Sequence, residues 1–436
     1  MAAEIDVGRL IDERPMSRLQ LGVVVLCGLA IFLDGYDIEV MALAVPSLAH
    51  EWSRPAQDFG WALSAALIGI SVGAAFFAHL GDRIGRRTVL IVAMAEVGVS
   101  TACTAFATSP EQFIVWRLLT GIGLGVCIPN LNAWTSEYAP VRRRSLAVVS
   151  MNAAIGLGAF SAGIFAPMVI HAFGWRGIFV VGGIAPLIVA ALLWLLAPES
   201  LKFLMARQPD DPRIAKILAR IAPGVDPARV TLADAGPARS GSALELVSPE
   251  FRNRTLLIWT LAVFNIFALN IFVAWLPTLL GSAGWSPDHA LQGAVTIQLG
   301  GIVGGLALSG LLDRGKTRSG LAATWLGAAV VLLLFQVIPN SLVGWGVLLL
   351  LGGAGVGGTQ LALNALSAAY YPPRIKATGV GWVGLIGGIG AISAGPVGGW
   401  LIGQGLSLPN VLAVLVLPML LCAGGVFLMR REWQAH

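Results

Sequence analysis

Twelve stretches of this chain are apolar for about 20 residues or more, the length a helix needs to cross the hydrocarbon of a bilayer. They run approximately over residues 19–45, 59–80, 88–108, 111–135, 145–170, 176–197, 254–280, 289–311, 319–338, 341–369, 377–403 and 407–429. That feature decides the solvent in which the chain folds. With 56% of residues hydrophobic and 12% charged, against roughly a quarter charged in soluble domains, an ordinary soluble enzyme, a nucleic-acid binder and a disordered chain are excluded. Cys27, Cys103, Cys127 and Cys422 each lie inside an apolar run, and none forms a CxxC or Cys/His cluster. They read as small hydrophobes, which leaves no disulfide framework and no metal site. Residues 1–18 carry both charge signs without a small-residue cleavage site, so the first stretch reads as a retained span and not as a signal peptide.

Basic residues orient the bundle. If the N-terminus is cytoplasmic, 25 of the 28 Lys and Arg fall on the cytoplasmic side, only Arg54 and Arg176 fall outside, and Arg117 lies within span 4. Such an excess marks cytoplasmic loops, so both termini are expected in the cytoplasm. The net charge of +5 then needs no anionic partner. The one long hydrophilic stretch, about 199–253, holds Pro209, Pro212, Pro223, Pro227 and Pro237 among charges. It reads mainly as a linker, with a short helix expected over 211–221. The expected division is a six-helix bundle over 1–198, a cytoplasmic linker over 199–253 and a second bundle over 254–436.

The two halves repeat one another. Asp82-Arg83-x-x-x-Arg87 matches Asp313-Arg314-x-x-x-Arg318, and Pro46-Ser47-Leu48 matches Pro277-Thr278-Leu279, both at an offset of 231. Tyr138-x-Pro140-x-Arg142 matches Tyr370-x-Pro372-x-Arg374, and Ser161-Ala162-Gly163 matches Ser393-Ala394-Gly395, both at 232. The expected fold is therefore an all-α membrane protein of twelve transmembrane helices in two six-helix pseudo-repeats, an architecture that recurs in secondary transporters.

Several motifs resemble the major facilitator superfamily. Gly81-Asp82-Arg83-Ile84-Gly85-Arg86-Arg87 is similar to its signature between helices 2 and 3, and Arg117-x-x-x-Gly121-x-Gly123-x-Gly125 to its helix 4 motif. Further stretches resemble the aromatic acid:proton symporters, similar to 4-hydroxybenzoate and protocatechuate permeases. These are Leu33-Asp34-Gly35-Tyr36-Asp37, Pro129-Asn130 through Ser136-Glu137-Tyr138-Ala139-Pro140, Trp275-Leu276-Pro277-Thr278-Leu279, and Tyr371-Pro372 through Arg374-x-x-Ala377-Thr378-Gly379-Val380-Gly381-Trp382. The chain departs from that pattern at Ala78, where Gly is usual, at Gly388, where many relatives place Arg, and at Glu39, where a small or amide residue is usual. The resemblance implies the major facilitator fold, alternating access, and proton-coupled import of an aromatic carboxylate through the inner membrane. It implies a monomer whose partners are substrate, protons and lipid. A proton-driven exporter on the same fold is the alternative. Span 5, Gly156-Leu157-Gly158-Ala159-Phe160-Ser161-Ala162-Gly163, lacks the Gly-Pro pair common in exporters. A membrane-embedded enzyme or sensor is the remaining class, and no nucleophile–base constellation or signalling domain supports it.

A charge in hydrocarbon costs at least a few kcal/mol and needs a partner or water. The candidates are Asp34, Asp37, Glu39, Glu96 and Arg117. Asp34 and Asp37, three residues apart, share a helix face, and two carboxylates that close resist joint ionisation. That is what a proton carrier requires. The bland alternative is that Asp37 caps a helix break at Gly35, or that one acid is permanently paired. Glu39 lies about 140° from Asp34 and about 200° from Asp37 around a regular helix; it is either a second proton site or a structural acid. In the repeat it matches Asn270, while Asp34 matches Asn265. Glu96, on a span that packs outside in this fold, reads as structural or interfacial. Arg117 can balance an acid or meet a substrate carboxylate with its planar fork. The resemblance favours the coupling network.

Asp82, Arg83, Arg86, Arg87, Glu137 and Arg142, with Asp313 and Arg314 in the second half, gather at cytoplasmic span ends and are expected to latch the outward-open state. The bland reading is anchoring. Pocket-forming candidates are Tyr36, Trp61, Trp134, Phe264, Phe267, Trp275, Tyr370 and Trp382, with Asn130, Asn265, Asn270, Gln298, Gln360 and Asn364, since rings stack on an aromatic substrate. Gly352, Gly353, Gly355, Gly357 and Gly358 suit close helix approach. No Gly-Lys-Ser/Thr follows them, so no nucleotide and no cofactor beyond the coupling proton is expected.

Overall fold

The computed structural model describes residues 5–226, 230–231, 243–313, 317–372 and 375–429. Eleven helices among the described residues are long and apolar enough to cross a membrane. One of them, Val141–Leu196, has 56 residues, about 84 Å of helix at 1.5 Å per residue. It is broken at Gly174, where φ is 69°, a left-handed value that glycine adopts without strain. The break makes two spans of one and brings the number to the expected twelve. Span 1 is Arg18–Glu51, span 2 Gly60–Phe76, span 3 Arg86–Thr104 and span 4 Pro110–Tyr138; spans 5 and 6 flank Gly174. Span 7 is Arg252–Ala274 continued by Leu276–Ser282, span 8 Pro287–Asp313, span 9 Thr317–Leu334 and span 10 Leu342–Tyr370. Span 11 is Lys376–Gly403, and span 12 is Leu408–Val414 continued by Val416–Gly425.

The repeat recurs in the packing. A Cβ on Gly69 or Gly73 of span 2 would lie within 2.2 Å of the carbonyl oxygens of Leu118 and Ile122 in span 4. Their counterparts at offset 231, Gly300 and Gly304 of span 8, stand equally close to the Leu350 and Ala354 carbonyls of span 10. Gly158 of span 5 sits on the Phe32 carbonyl of span 1, and Gly390 of span 11, offset 232, sits on the Val263 carbonyl of span 7. Ser109 caps span 4 by accepting from the Gln112 backbone N–H, and Ser341 caps span 10 in the same way through Gly344. Lipid tails are as apolar as leucine, so helices here associate by backbone proximity and shape, which small residues permit. The glycine row of span 10 serves three neighbours: Gly353, Gly357 and Gly358 meet span 8, Gly352 meets Phe272 of span 7, and Gly355 meets Ala328 of span 9.

The hydrophilic middle is more ordered than a linker. Helices Leu201–Arg207 and Pro212–Ile221 form there. Asp211 caps the second, accepting from the Arg213 backbone N–H and side chain. The Arg213 side-chain bonds hold its carboxyl below the usual carboxylate range. Ile214, Ile217, Leu218 and Ile221 recur at helical spacing and enter one apolar core with Leu201, Leu204, Trp134, Tyr138 and residues Val7, Leu10 and Ile11 of the N-terminal helix Val7–Asp12. A two-residue parallel pairing of Ile5–Asp6 with Val230–Thr231 adds to it. Pro227 and Pro237 lie outside the described residues.

By contact the chain forms two compact units. One comprises Met1–Ile38, Ile68–Ala162 and Ala172–Ala238, the other Glu39–Leu67, Gly163–His171 and Arg239–His436. Within the second, the start of span 2 lies against span 11. Ser64 donates from its hydroxyl to the Ile392 carbonyl at 2.6 Å, and a Cβ on Gly395 would stand 2.2 Å from the Gly60 carbonyl oxygen. Gly395→Leu is therefore expected to destabilise the protein by about 1–3 kcal/mol through overpacking, read as a lower Tm in detergent. Gly22→Leu, at a glycine with open space around it, is expected to leave Tm unchanged.

Candidate functional site

Span 1 remains helical from Arg18 to Glu51, so Gly35 is no break and Asp37 caps nothing. Gly35 instead admits the Ile155 carbonyl of span 5, 2.0 Å from where its Cβ would be. The uninterrupted helix keeps Asp34 and Asp37 on one face. Arg117, fully buried, donates from both terminal nitrogens to the Asp37 carboxylate, at 2.8 and 2.6 Å. The planar fork meeting a planar carboxylate is the strongest geometry such a pair has. The Phe179 ring lies 5.8 Å from the guanidinium. Asp34, also buried, has no hydrogen-bond partner for either carboxylate oxygen among the described residues. The first unit thus holds a buried ion pair that engages both oxygens of Asp37 and, one turn away, a bare acid.

Glu96 packs against the helix 4 motif: its Oε2 occupies the space that a Cβ on Gly123 would fill, 1.9 Å away. Tyr36 is buried beside Gly182 of span 6, its hydroxyl without a hydrogen-bond partner among the described residues. Trp134 is enclosed edge-on to Tyr138.

The second unit carries amides in place of charges. Asn265, the repeat counterpart of Asp34, is fully buried and accepts from the Trp325 indole N–H at 2.9 Å. The Thr359 hydroxyl lies 2.9 Å from the same oxygen. The Asn265 amide nitrogen donates to Gln360 Oε1 at 2.9 Å, and Gln360 Nε2 donates to Asn364 Oδ1 at 3.2 Å. Gln298 donates to Glu39 Oε2 at 3.0 Å, and the other Glu39 oxygen has no partner among the described residues. Asn270 donates to its own helix at the Ile266 carbonyl. Trp275 is enclosed against Gly398 and Gly399 of span 11, and Trp382 stacks on Trp259 at 5.8 Å. Tyr370 is buried with its hydroxyl 3.5 Å from the Met429 sulfur, whereas Trp61 is more than half exposed. Asn265, Gln360 and Asn364 are thus brought together, while Asn270, Trp275 and Trp382 stand apart from that node.

Comparison with known proteins agrees with this architecture. The family model of the Major Facilitator Superfamily matches residues 27–393. The chain belongs to the major facilitator superfamily. It is 35% identical to the gallate transporter of Pseudomonas putida over 422 residues, 95% of this chain and 93% of that one. It is also 35% identical to the 4-hydroxybenzoate transporter PcaK of the same organism over 432 residues, 97% and 95% of the two chains. A crystal structure of a D-xylose-proton symporter superposes with a TM-score of 0.74 at 18% identity, covering 96% of this chain and 99% of that one. At that identity the likeness is one of fold. As a member of this superfamily the chain is a multi-pass membrane transporter and not an enzyme.

The superfamily's loop signature folds into a charged cluster at the basic end of the first unit. Arg86 pairs with Asp82 at 2.5 Å and with Glu137 at 3.4 Å, and donates to Asn130 Oδ1 at 2.8 Å. Asn130 also donates to the Ala78 and Val126 carbonyls, so its amide is committed to this cluster. A Cβ on Gly81 would strike its oxygen at 1.8 Å, which explains the glycine at that place in the loop. Arg87 donates to the Leu193 and Trp194 carbonyls and, from its backbone, to Glu199. Arg83 and Arg142 are exposed and form no ion pair among the described residues. Arg144 pairs with Asp12 at 3.0 Å. Arg314 lies outside the described residues, as does the side chain of Asp313. Sequence reasoning missed Glu199 and Ser200: Glu199 accepts from the Arg87 and Ser200 backbone N–H groups, and the Ser200 hydroxyl donates to Glu137. Their signal was an acid and a helix-capping serine directly after the last span of the half.

Asp37→Asn is expected to leave the Arg117 charge buried without its counter-ion, at a cost of about 3–5 kcal/mol. Asp34→Asn removes no observed bond and is expected to change stability by less than about 1 kcal/mol. Thermal unfolding of the two variants in one detergent measures the difference.

Proposed function

We propose that this chain imports a small aromatic carboxylate with protons through the cytoplasmic membrane, as a monomer with both termini in the cytoplasm. The observation that carries the reading is the bare Asp34 beside an Asp37 whose two carboxylate oxygens are held by the terminal nitrogens of Arg117. An unpartnered carboxyl in hydrocarbon is tolerable as the neutral acid and costly as the anion, so its crossing is tied to a proton. Asp34 takes that proton from the outer medium. The pair of Asp37 and Arg117 stays closed and keeps span 1 registered against span 4. Rocking of the two repeats then turns the site inward, where water lets Asp34 ionise and the proton leaves with the substrate. The cluster of Asp82, Arg86, Glu137 and Asn130 shapes the cytoplasmic end that opens and closes. The excess of Lys and Arg at that end supports the orientation. The substrate class draws its support from the 35% identical relatives named as gallate and 4-hydroxybenzoate transporters.

Uptake of labelled 4-hydroxybenzoate into proteoliposomes with an imposed inward proton gradient tests this. Accumulation is expected to collapse with a protonophore. Asp34→Asn is expected to abolish gradient-driven accumulation while preserving folding. Accumulation indifferent to the protonophore would overturn proton symport.

A further inference from the structure

Hydrogen-bond polarity in the second unit is dictated from one end. An indole N–H can only donate, so the Asn265 atom that faces Trp325 is its oxygen. The Asn265 nitrogen is then turned to Gln360, where it donates to Oε1 at 2.9 Å, and to the Val356 carbonyl at 3.4 Å. That choice propagates. With its oxygen taken by Asn265, Gln360 turns its nitrogen along span 10 and donates to Asn364 Oδ1 at 3.2 Å. Both tip oxygens thus point back into the chain of bonds. What remains outward is one N–H of Gln360 and both N–H groups of Asn364, by the donor count of a primary amide. No described residue accepts from them.

Asn364 is exposed although it lies within the span 10 helix, Leu342–Tyr370. An amide set against lipid tails would forfeit its hydrogen bonds at a cost of a few kcal/mol, so this face belongs to a wet path. A neutral surface that turns its free N–H groups outward and its oxygens back into the chain of bonds suits an anion with paired oxygens. The Arg117 fork is not free to receive one, since both its terminal nitrogens hold Asp37.

We infer that Gln360 and Asn364 are the docking element for the substrate's carboxylate, with Asn265 and Trp325 as positioning residues that fix their amide orientation. The inference rests on the proposed aromatic-acid transport and names the part of the protein that would recognise the acid group.

Calorimetric titration of the purified full chain with 4-hydroxybenzoate and with the neutral 4-hydroxybenzamide separates the possibilities. The unaltered protein is expected to prefer the acid. Asn364→Ala is expected to weaken the acid about tenfold or more, the loss typical of a hydrogen bond to a charged group, and to leave the amide nearly unchanged. Asn364→Asp replaces donors by acceptors and is expected to reverse the preference. Trp325→Phe frees the Asn265 amide to rotate and is expected to narrow the acid-to-amide ratio, which a packing defect alone would not do. Binding of neither ligand by the unaltered protein would remove the transport reading and this assignment with it. An unchanged acid preference in both Asn364 variants would overturn this assignment alone.

Discussion

Arg117 cannot shed its charge, and it is fully buried within span 4 of a chain built to lie in hydrocarbon. Everything near it follows from that requirement. A counter-ion has to come from a neighbouring helix in the right plane, and Asp37 supplies it through two short bonds. The pair ties span 1 to span 4 at a single depth. It also uses up the only fixed positive charge available there, so the remaining acids have no cation to meet. Asp34, Glu39 and Glu96 each keep at least one oxygen without a hydrogen-bond partner. A soluble protein would solvate such groups. Here each is tolerable only while neutral or while wet, and that dependence is what makes a membrane carboxyl responsive to protons.

The frame that holds these groups is cheap in side chains. Where spans 2 and 4 cross, and again where spans 8 and 10 cross, glycines at matching offsets let backbones touch. The helix 4 motif shows how one helix serves two partners. Gly125 is close to the Ile70 carbonyl of span 2, while Gly123, two residues earlier and so on the opposite side, faces Glu96 of span 3. A larger residue at either would separate a different pair of helices. Shape in this bundle is therefore written in absences of side chain, which is why it survives in both repeats although the surrounding residues differ.

The spans were legible because an apolar run of that length has one structural solution in a bilayer. The charged residues within them were legible for the same reason, since each is too costly to be incidental. What could not be read was the pairing. Asp34 and Asp37 share a face, and only the depth of span 4 decides that Arg117 takes Asp37. Asn130 looked like a pocket residue because it is polar within a span, yet it is bound by Arg86 at the start of span 3. Arg142 and Arg144 are indistinguishable in a run of three arginines, and the position of Asp12 selects Arg144. The helix Pro212–Ile221 was visible, but its burial was not, because its apolar stripe needed the N-terminal helix as a partner. These are all contacts between segments far apart in sequence, which periodicity does not encode.

The two repeats share their packing and divide their polarity. Asp34 in the first corresponds to Asn265 in the second, and the carboxyl is bare where the amide is saturated. A carboxyl left unsatisfied can exchange a proton; an amide held at all its atoms can only orient its neighbours. Duplicating the scaffold and changing one functional group would thus give one half a site whose charge varies and the other a site whose geometry does not.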